Sequence, residues 1–244
     1  MVISPGGKYS CFLAIQATCG PGDEVITTPM TFIASANAIL YTGATPVFVD
    51  VERETGNMDA SLIEGAITPR TKAILPVHLY GQMVDMKQIR RIADKHDLVV
   101  IEDAAHAVES QRDGIKPGQL GDAACFSFYA TKNITSGEGG GISTNDEVVA
   151  QKLRSLRLHG MDKGAADRYT KRYQHWDMEF LGWKYNMSNI QAAMLLNQLD
   201  NIDKNWQRRE QICRMYEDAF SEIPQLRCLR VLPGSKSARH LFTI

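Results

Sequence analysis

The sequence predicts an α/β fold in which a mostly parallel β-sheet is flanked by helices. Short apolar runs rich in β-branched residues alternate along the chain with segments of helical length. The run Leu98–Ile101 is apolar at every position, as in a parallel strand that is covered on both faces. It leads directly into Glu102 and Asp103, and ligands bind at the carboxyl ends of strands in open α/β sheets.

The predicted elements follow one another in the order that this fold requires. Strands are predicted at residues 24–28, 46–50, 73–77, 98–103, 123–129 and 141–144. Helices are predicted at residues 8–18, 31–41, 60–66, 85–97 and 147–158. The charged, poorly periodic stretch 160–179 is predicted to be a loop. Ser188 and Gln191 then have the spacing of a capping box, and the apolar pattern after them predicts a long helical region to about Ile223.

A carboxylate and a lysine are expected at the same edge of this sheet. Asp103 ends one buried strand, and Lys132 follows the next. Pyridoxal phosphate (PLP) works as an electron sink while its pyridine nitrogen stays protonated, and a carboxylate bonded to that nitrogen keeps it so. A lysine amine can bind the same cofactor as a Schiff base. The pair therefore predicts a PLP site, in which Ser127 can turn its hydroxyl toward the phosphate.

Each of these signals has a simpler interpretation when it is taken alone. An Asp at a strand end is commonly a turn or helix cap, and a Lys after a strand is commonly a solvated surface residue. The glycine-rich run Gly137–Gly141 can bring backbone close to a ligand, or it can be a plain turn. The conjunction of the three favours the cofactor site.

Several longer motifs occur in a fixed order along the chain. They are Gly20–Ile26, Pro29–Phe32, Gly43–Asp50, Pro76–Gly81, Glu102–His106, Phe126–Asn133, Gly137–Gly140, Leu181–Met187, Gln191–Ala193 and His240–Phe242. This series closely resembles the DegT/DnrJ/StrS family of PLP-dependent sugar aminotransferases, and it covers essentially the whole chain. Within the family, the sequences of residues 66–74 and 184–186 are most similar to those of UDP-4-amino-4-deoxy-L-arabinose aminotransferase.

The resemblance implies a role for each residue of the predicted site. Lys132 is expected to hold the cofactor covalently and, once released by the amino donor, to move a proton between substrate and cofactor. Asp103 is expected to bind the pyridinium nitrogen, Phe32 to stack on the ring, and Ser127 to face the phosphate. His106 occupies a position near the ring hydroxyl in relatives, with a packed structural histidine as the alternative.

The phosphate loop departs from the family pattern. Relatives have Ser/Asn-Gly-Thr-Ala at a helix start, where backbone N–H groups and a Thr hydroxyl bind the phosphate. The corresponding segment here is Ser4–Lys8, with Gly7 in place of the Thr. We expect the backbone donors of Gly7 and Lys8 to remain, with Lys8 compensating by its charge. Relatives also send an Asn from the neighbouring subunit to the phosphate, and Lys184 stands at that position as a point-charge partner.

Length sets a further expectation. The chain has 244 residues, whereas members of the family are longer at both ends. The resemblance implies the large domain of a fold type I aminotransferase at residues 1–185, and a helical extension with the start of a truncated small domain at residues 186–244. Residues 240–244 are expected to form the first strand of that small domain. A largely missing small domain puts full activity in doubt.

The composition agrees with a globular protein, with 44% hydrophobic residues, 23% charged residues and a formal net charge of −1. This balance gives no indication of a nucleic-acid or membrane partner. There is no apolar leader, so we expect a cytoplasmic protein. The five cysteines lack Cys-x-x-Cys spacing, which argues for free thiols and against a metal site.

Two functional hypotheses follow. In the first, the protein is a homodimeric PLP-dependent enzyme that transfers an amino group, with glutamate as the expected donor, to a nucleotide-linked keto sugar for surface polysaccharide or amino-sugar biosynthesis. In the second, it is a catalytically impaired or non-catalytic PLP-domain remnant that serves only as a folded or assembly module. Lys132 argues against the related deoxysugar dehydratases, which carry His at that position.

Overall fold

The computed structural model describes residues 1–162 and 177–244 and contains a seven-stranded sheet. Its strands are β1 (Val2–Ser4), β2 (Glu24–Thr27), β3 (Thr45–Phe48), β4 (Thr71–Ile74), β5 (Val99–Asp103), β7 (Ala123–Ser127) and β8 (Gly140–Ser143). The order across the sheet is β1-β8-β7-β5-β4-β2-β3. Two further strands, β6 (Gln111–Arg112) and β9 (Ser235–Lys236), form a separate antiparallel pair.

The larger part of the sheet is parallel. β2 pairs in parallel with β3 and β4, β4 pairs with β5, and β5 pairs with β7. β8 and β1 close one edge as antiparallel strands. The six predicted strands are confirmed with shifts of up to three residues at their ends. β1 has only three residues, too few for an apolar pattern to predict it.

Seven α-helices are described. They are α1 (Gly7–Thr18), α2 (Ala34–Leu40), α3 (Ile63–Ala66), α4 (Met86–His96), α5 (Glu147–Leu156), α6 (Asn189–Asp200) and α7 (Ile202–Phe220). Asp85 begins α4 by accepting a hydrogen bond from the Gln88 N–H at 2.9 Å, and Asp146 caps α5 in the same way. Within the described residues, no helix is both long and apolar enough to cross a bilayer.

The sheet separates two apolar cores. On β2, Val25 belongs to the core beneath α1 and α5, whereas Ile26 belongs to the core beneath α3 and α4. Val100 and Ile101 on β5 divide in the same way because successive side chains of a strand point to opposite faces. This two-faced burial is the physical reason for the uninterrupted apolar runs. It also places the carboxyl ends of β4, β5 and β7 side by side.

The helical region after residue 188 is confirmed, together with its capping box between Ser188 and Gln191. It is interrupted at Asn201, whose side-chain amide donates to the Asn197 carbonyl at 2.9 Å. Such local bonds compete with helix continuation.

The expectation of a strand at residues 240–244 is wrong. The N–H groups of Ala238 and His240 donate instead to the carbonyls of Gly81 and Tyr80, which lie in a tight turn and not in a strand. Most of the predicted 160–179 loop, residues 163–176, lies outside the described residues.

Candidate active site

Asp103 lies at the end of β5 with its carboxylate buried and oriented. Its Oδ2 accepts a hydrogen bond from the Ser35 hydroxyl at 2.8 Å, and its Oδ1 accepts one from the Ala105 N–H at 3.1 Å. The backbone is fixed as well, because the Asp103 N–H donates to Pro76 and its carbonyl accepts from the His78 N–H. Two carboxylate oxygens can accept about four hydrogen bonds, so these contacts leave capacity for a ligand.

Ser35 is a site residue that the sequence analysis missed. It lies in α2 and joins Thr31 to Asp103, with its hydroxyl 2.8 Å from both the Thr31 hydroxyl and Asp103 Oδ2. A polar residue inside the apolar helix Ala34–Leu40 is the signal that could have indicated it. Phe32 precedes it by one turn and is 72% exposed. An aromatic ring left this open suits a planar ligand better than it suits core packing.

Lys132 follows β7 and is half-buried beside this carboxylate. Burial lowers the pKa of its amine, while the negative charge of Asp103 acts in the opposite direction. The backbone N–H of Lys132 donates to the Tyr129 carbonyl at 2.9 Å. This bond fixes the turn that carries the lysine. The amine therefore loses its proton more readily than a surface lysine does, as a nucleophile requires.

His106 belongs to the same cluster. Its Nδ1 accepts a hydrogen bond from the Tyr80 N–H at 3.2 Å, and the two rings stack at an interplanar angle of 8°. Burial lowers the pKa of His106 to about 3, and the charges of Lys132 and His240 contribute in the same direction. His106 is therefore neutral near pH 7 and carries its proton on Nε2. It is both packed against Tyr80 and electrostatically coupled to Lys132.

The first turn of α1 lies directly against Ser127. The helix begins at Gly7, and the residue before it, Gly6, has no side chain with which to cap it. The first N–H groups of a helix have no acceptor within the helix, so they can bind an anion. A Cβ at Gly7 would lie 2.5 Å from Ser127 Cβ and 2.8 Å from its Oγ. A larger residue such as Thr at position 7 would therefore require Ser127 or the helix start to shift.

Lys8 and Lys184 lie near this turn but outside the cluster. Both side chains are exposed. Lys8 Nζ lies 4.8 Å from the centroid of the Tyr9 ring. Tyr185, next to Lys184, packs on the same ring with centroids 4.4 Å apart. Across residues 1–162 and 177–244, no hydrogen bond or ion pair joins either lysine to Asp103 or Lys132.

Together these groups line one edge of the sheet, and they differ in charge and hydrogen-bonding character along it. A buried carboxylate stands at one end, a helix N-terminus with a hydroxyl stands at the other, and an amine of lowered pKa lies at the same edge. Ser35, which donates to this carboxylate, also contacts the backbone carbonyl of Phe32, whose side chain is exposed. This arrangement suits a flat, phosphorylated, aldehyde-bearing cofactor.

Sequence comparison places the chain in a known class of protein. Residues 10–244 match the model of the DegT/DnrJ/EryC1/StrS aminotransferase family, and the chain belongs to that family. It is 48% identical over 235 residues to the spore coat polysaccharide biosynthesis protein SpsC of Bacillus subtilis (strain 168). It is 50% identical over 218 residues to the GDP-perosamine synthase of Caulobacter vibrioides. These alignments cover 96% and 89% of this chain, but only 60% and 56% of the two relatives.

Solved structures agree with this assignment. DesV of S. venezuelae, determined with a ketimine intermediate, superposes with a TM-score of 0.88 at 38% identity over 99% of this chain and 62% of its own. The sugar aminotransferase Spr1654 of Streptococcus pneumoniae, in its PMP form, superposes with a TM-score of 0.91 at 33% identity, over 99% of this chain and 66% of its own. The predicted fold class is therefore confirmed.

Proposed function

We propose that this protein is a PLP-dependent sugar aminotransferase domain that transfers an amino group from an amino acid, with glutamate as the expected donor, to a nucleotide-linked keto sugar. The observation that carries the proposal is the meeting of Asp103 and Lys132 at one sheet edge, beside the Gly7–Ser127 contact. Family membership supports the reaction class, and the names of SpsC and GDP-perosamine synthase support a sugar substrate.

The residues present fit the cofactor. When bound, PLP supplies an electron sink for bonds at the substrate carbon. Asp103 holds a proton on a ring nitrogen by charge and hydrogen bonding, and Ser35 keeps that carboxylate turned toward the ligand. Lys132 provides the amine that binds the cofactor and later carries the proton. The first turn of α1 and Ser127 bind the phosphate, and Phe32 covers the face of the ring.

The finer features are part of the same proposal. The sugar nucleotide, the similarity to the arabinose branch, the cytoplasmic location and the division at residue 185 stay predictions. A homodimer is supported by exposed apolar residues on and around α2, namely Ile33, Leu40, Tyr41 and Phe48. In a dimer, the partner subunit's copy of residue 184 supplies the second phosphate contact. Sedimentation of a monomer at micromolar concentration would contradict this part.

The non-catalytic alternative is a PLP domain that binds the cofactor without transferring an amino group. The chain spans 60% or less of the length of the two relatives described above, so the activity of the whole protein is itself part of the proposal.

One experiment separates the two. The full chain is loaded with PLP and mixed with glutamate, and the release of 2-oxoglutarate is measured together with the loss of the cofactor's visible absorption. We expect stoichiometric 2-oxoglutarate in the wild type and none in Lys132→Ala. Bound cofactor without release of the corresponding 2-oxo acid, from glutamate or from the other common amino acids, would favour the remnant.

A further inference from the structure

A line of partly buried polar groups runs from α7 to the loop that carries Lys132. Arg209 on α7 forms an ion pair with Glu109, whose side chain is 2% exposed. The other oxygen of Glu109, Oε2, accepts a hydrogen bond from Asn133 Nδ2 at 3.0 Å. Asn133 Oδ1 lies 3.0 Å from His240 Nδ1. The line therefore connects a helix, the residue after Lys132 and the C-terminal segment.

The hydrogen-bond donors and acceptors of this line fix its direction. Asn133 Nδ2 donates to both Glu109 Oε2 and the Ala238 carbonyl, so both of its hydrogens are used. Rotating the amide by 180° would set its oxygen against two acceptors, which the surroundings forbid. Asn133 Oδ1 must accept, and His240 Nδ1 must therefore carry the proton. The His240 ring is left with a lone pair on Nε2.

His106 has the opposite tautomer. It accepts at Nδ1 from Tyr80, so its proton lies on Nε2. The two imidazole rings are 4.3 Å apart between centroids. Burial lowers the pKa of His240 to about 4, with the charges of Lys132 and Arg209 acting in the same direction. Near pH 7 the two adjacent rings are thus neutral, one offering an N–H and the other a lone pair, and both lie within electrostatic reach of Lys132.

We propose that Arg209, Glu109 and Asn133 form a polar relay that holds His240 in its Nδ1–H tautomer, and that His240 is thereby a positioning residue for Lys132. The relay anchors the loop that carries the lysine and keeps an unprotonated nitrogen on the neighbouring ring. That nitrogen can accept a hydrogen bond from the lysine amine but cannot donate one to it. The inference rests on the proposed function, because it takes Lys132 as the reacting amine.

The relay is tested first in the cofactor-free protein. Imidazole nitrogen shifts measured by NMR on ¹⁵N-histidine-labelled chain report the tautomer of each ring. We expect the Nδ1–H form at His240 and the Nε2–H form at His106. In Glu109→Gln, an NH₂ group replaces one carboxylate oxygen and faces the donor of either Arg209 or Asn133. Where it faces Asn133, that amide rotates, so an Nε2–H population should appear at His240. A wild-type His240 in the Nε2–H form, or an unchanged tautomer in Glu109→Gln, would overturn the relay.

A second variant tests the role of His240 without disturbing Glu109. Asn at position 240 places an amide N–H near the position of Nδ1, so it retains the bond to Asn133 while it removes Nε2. We expect His240→Asn to keep its melting temperature and its cofactor binding. The rate of 2-oxoglutarate release should fall about tenfold to a hundredfold, less than the loss of a group that itself transfers the proton. The pH dependence of the bound cofactor's absorption should shift as well.

The same substitution at His96, which is bonded to Glu64 on the surface, is the matched control and should change none of these quantities. Wild-type rate and pH dependence in His240→Asn would reduce His240 to a structural residue and overturn the proposal. The NMR result is independent of turnover. If the NMR measurements confirm the relay but the protein releases no 2-oxoglutarate, only the proposed function is contradicted.

Discussion

Glu102 and Asp103 are adjacent acidic residues on β5, yet their surroundings differ. Glu102 is completely buried, and its oxygens accept hydrogen bonds from the N–H groups of Gly118 and Gly121 and from His78 Nε2. Asp103 accepts hydrogen bonds from Ser35 and Ala105, with the Cys11 thiol as a further neighbour. It also lies close enough to Lys132 to affect the pKa of that amine. The two side chains point to opposite faces of the sheet.

The difference distinguishes a buried carboxylate that holds the fold together from one that can bind a ligand. Every hydrogen-bonding position of Glu102 is matched to protein, and a Cβ at Gly121 would lie 2.5 Å from its Oε1. Such a carboxylate holds strands and loops together and has no place for a ligand. Asp103 is fixed in orientation but not saturated, which is the arrangement that a ligand-binding group needs.

The largest effect that this comparison predicts is on chemistry at Asp103. Replacing Asp103 by Asn keeps the shape of the side chain, because the Ser35 hydroxyl can accept from the new NH₂ group while the Ala105 N–H still donates to the remaining oxygen. The substitution removes the charge that stabilises a protonated ring. We expect the rate of amino transfer to fall by about 10²–10³, the range seen when one preorganised electrostatic contact is lost. The melting temperature should change little. A fully active Asp103→Asn would mean that the carboxylate is only a turn cap.

The next effect is on stability at Glu102. In Glu102→Gln, an amide NH₂ group must face one of the donors that now bind the carboxylate, which leaves a buried group unsatisfied. The free energy of unfolding, measured by urea denaturation, should fall by about 3 kcal/mol. Cofactor-loaded protein that remains folded should transfer amino groups at nearly the wild-type rate. If the rate fell as far as in Asp103→Asn, the division of roles between the two carboxylates would fail.

The smallest effect tests whether the ligand side of the sheet extends to α1. Gly7→Ala sets a methyl group against Ser127 and should displace the hydroxyl or the helix start, so we expect cofactor affinity to fall about tenfold. Gly20→Ala is the matched control, because no described atom beyond the two chain neighbours lies within 4 Å of a Cβ at that position. Its affinity and stability should stay within experimental error of wild type. If Gly7→Ala and Gly20→Ala bound the cofactor with equal affinity, the first turn of α1 would not be the phosphate site.

The sequence predicted the parts of this account that depend on local pattern. Apolar runs located the six strands, Ser188 and Gln191 located a helix start, and strand ends located Asp103 and Lys132 at one edge. Ser35 escaped because its bond to Asp103 joins residues that are 68 positions apart. The contact between Asn133 and His240 spans 107 positions and has no local signature.

The incorrect strand at residues 240–244 has a related cause. A strand is defined by its neighbour, and the N–H groups of this segment find carbonyls in the turn at Tyr80 and Gly81. Lys184 is a different case, because the proposed homodimer would place its phosphate partner on another subunit. The single chain shows only that this side chain is exposed.

The central claim is that Lys132 is the amine that binds PLP, and one measurement tests it most directly. The wild-type chain is incubated with PLP, reduced with borohydride to make the lysine–cofactor bond permanent, digested, and mapped by mass spectrometry. We predict modification of Lys132, loss of the cofactor's visible absorption band on reduction, and neither signal in Lys132→Ala. An unmodified Lys132 with label spread over exposed lysines, or an unchanged absorption band in Lys132→Ala, would contradict the account.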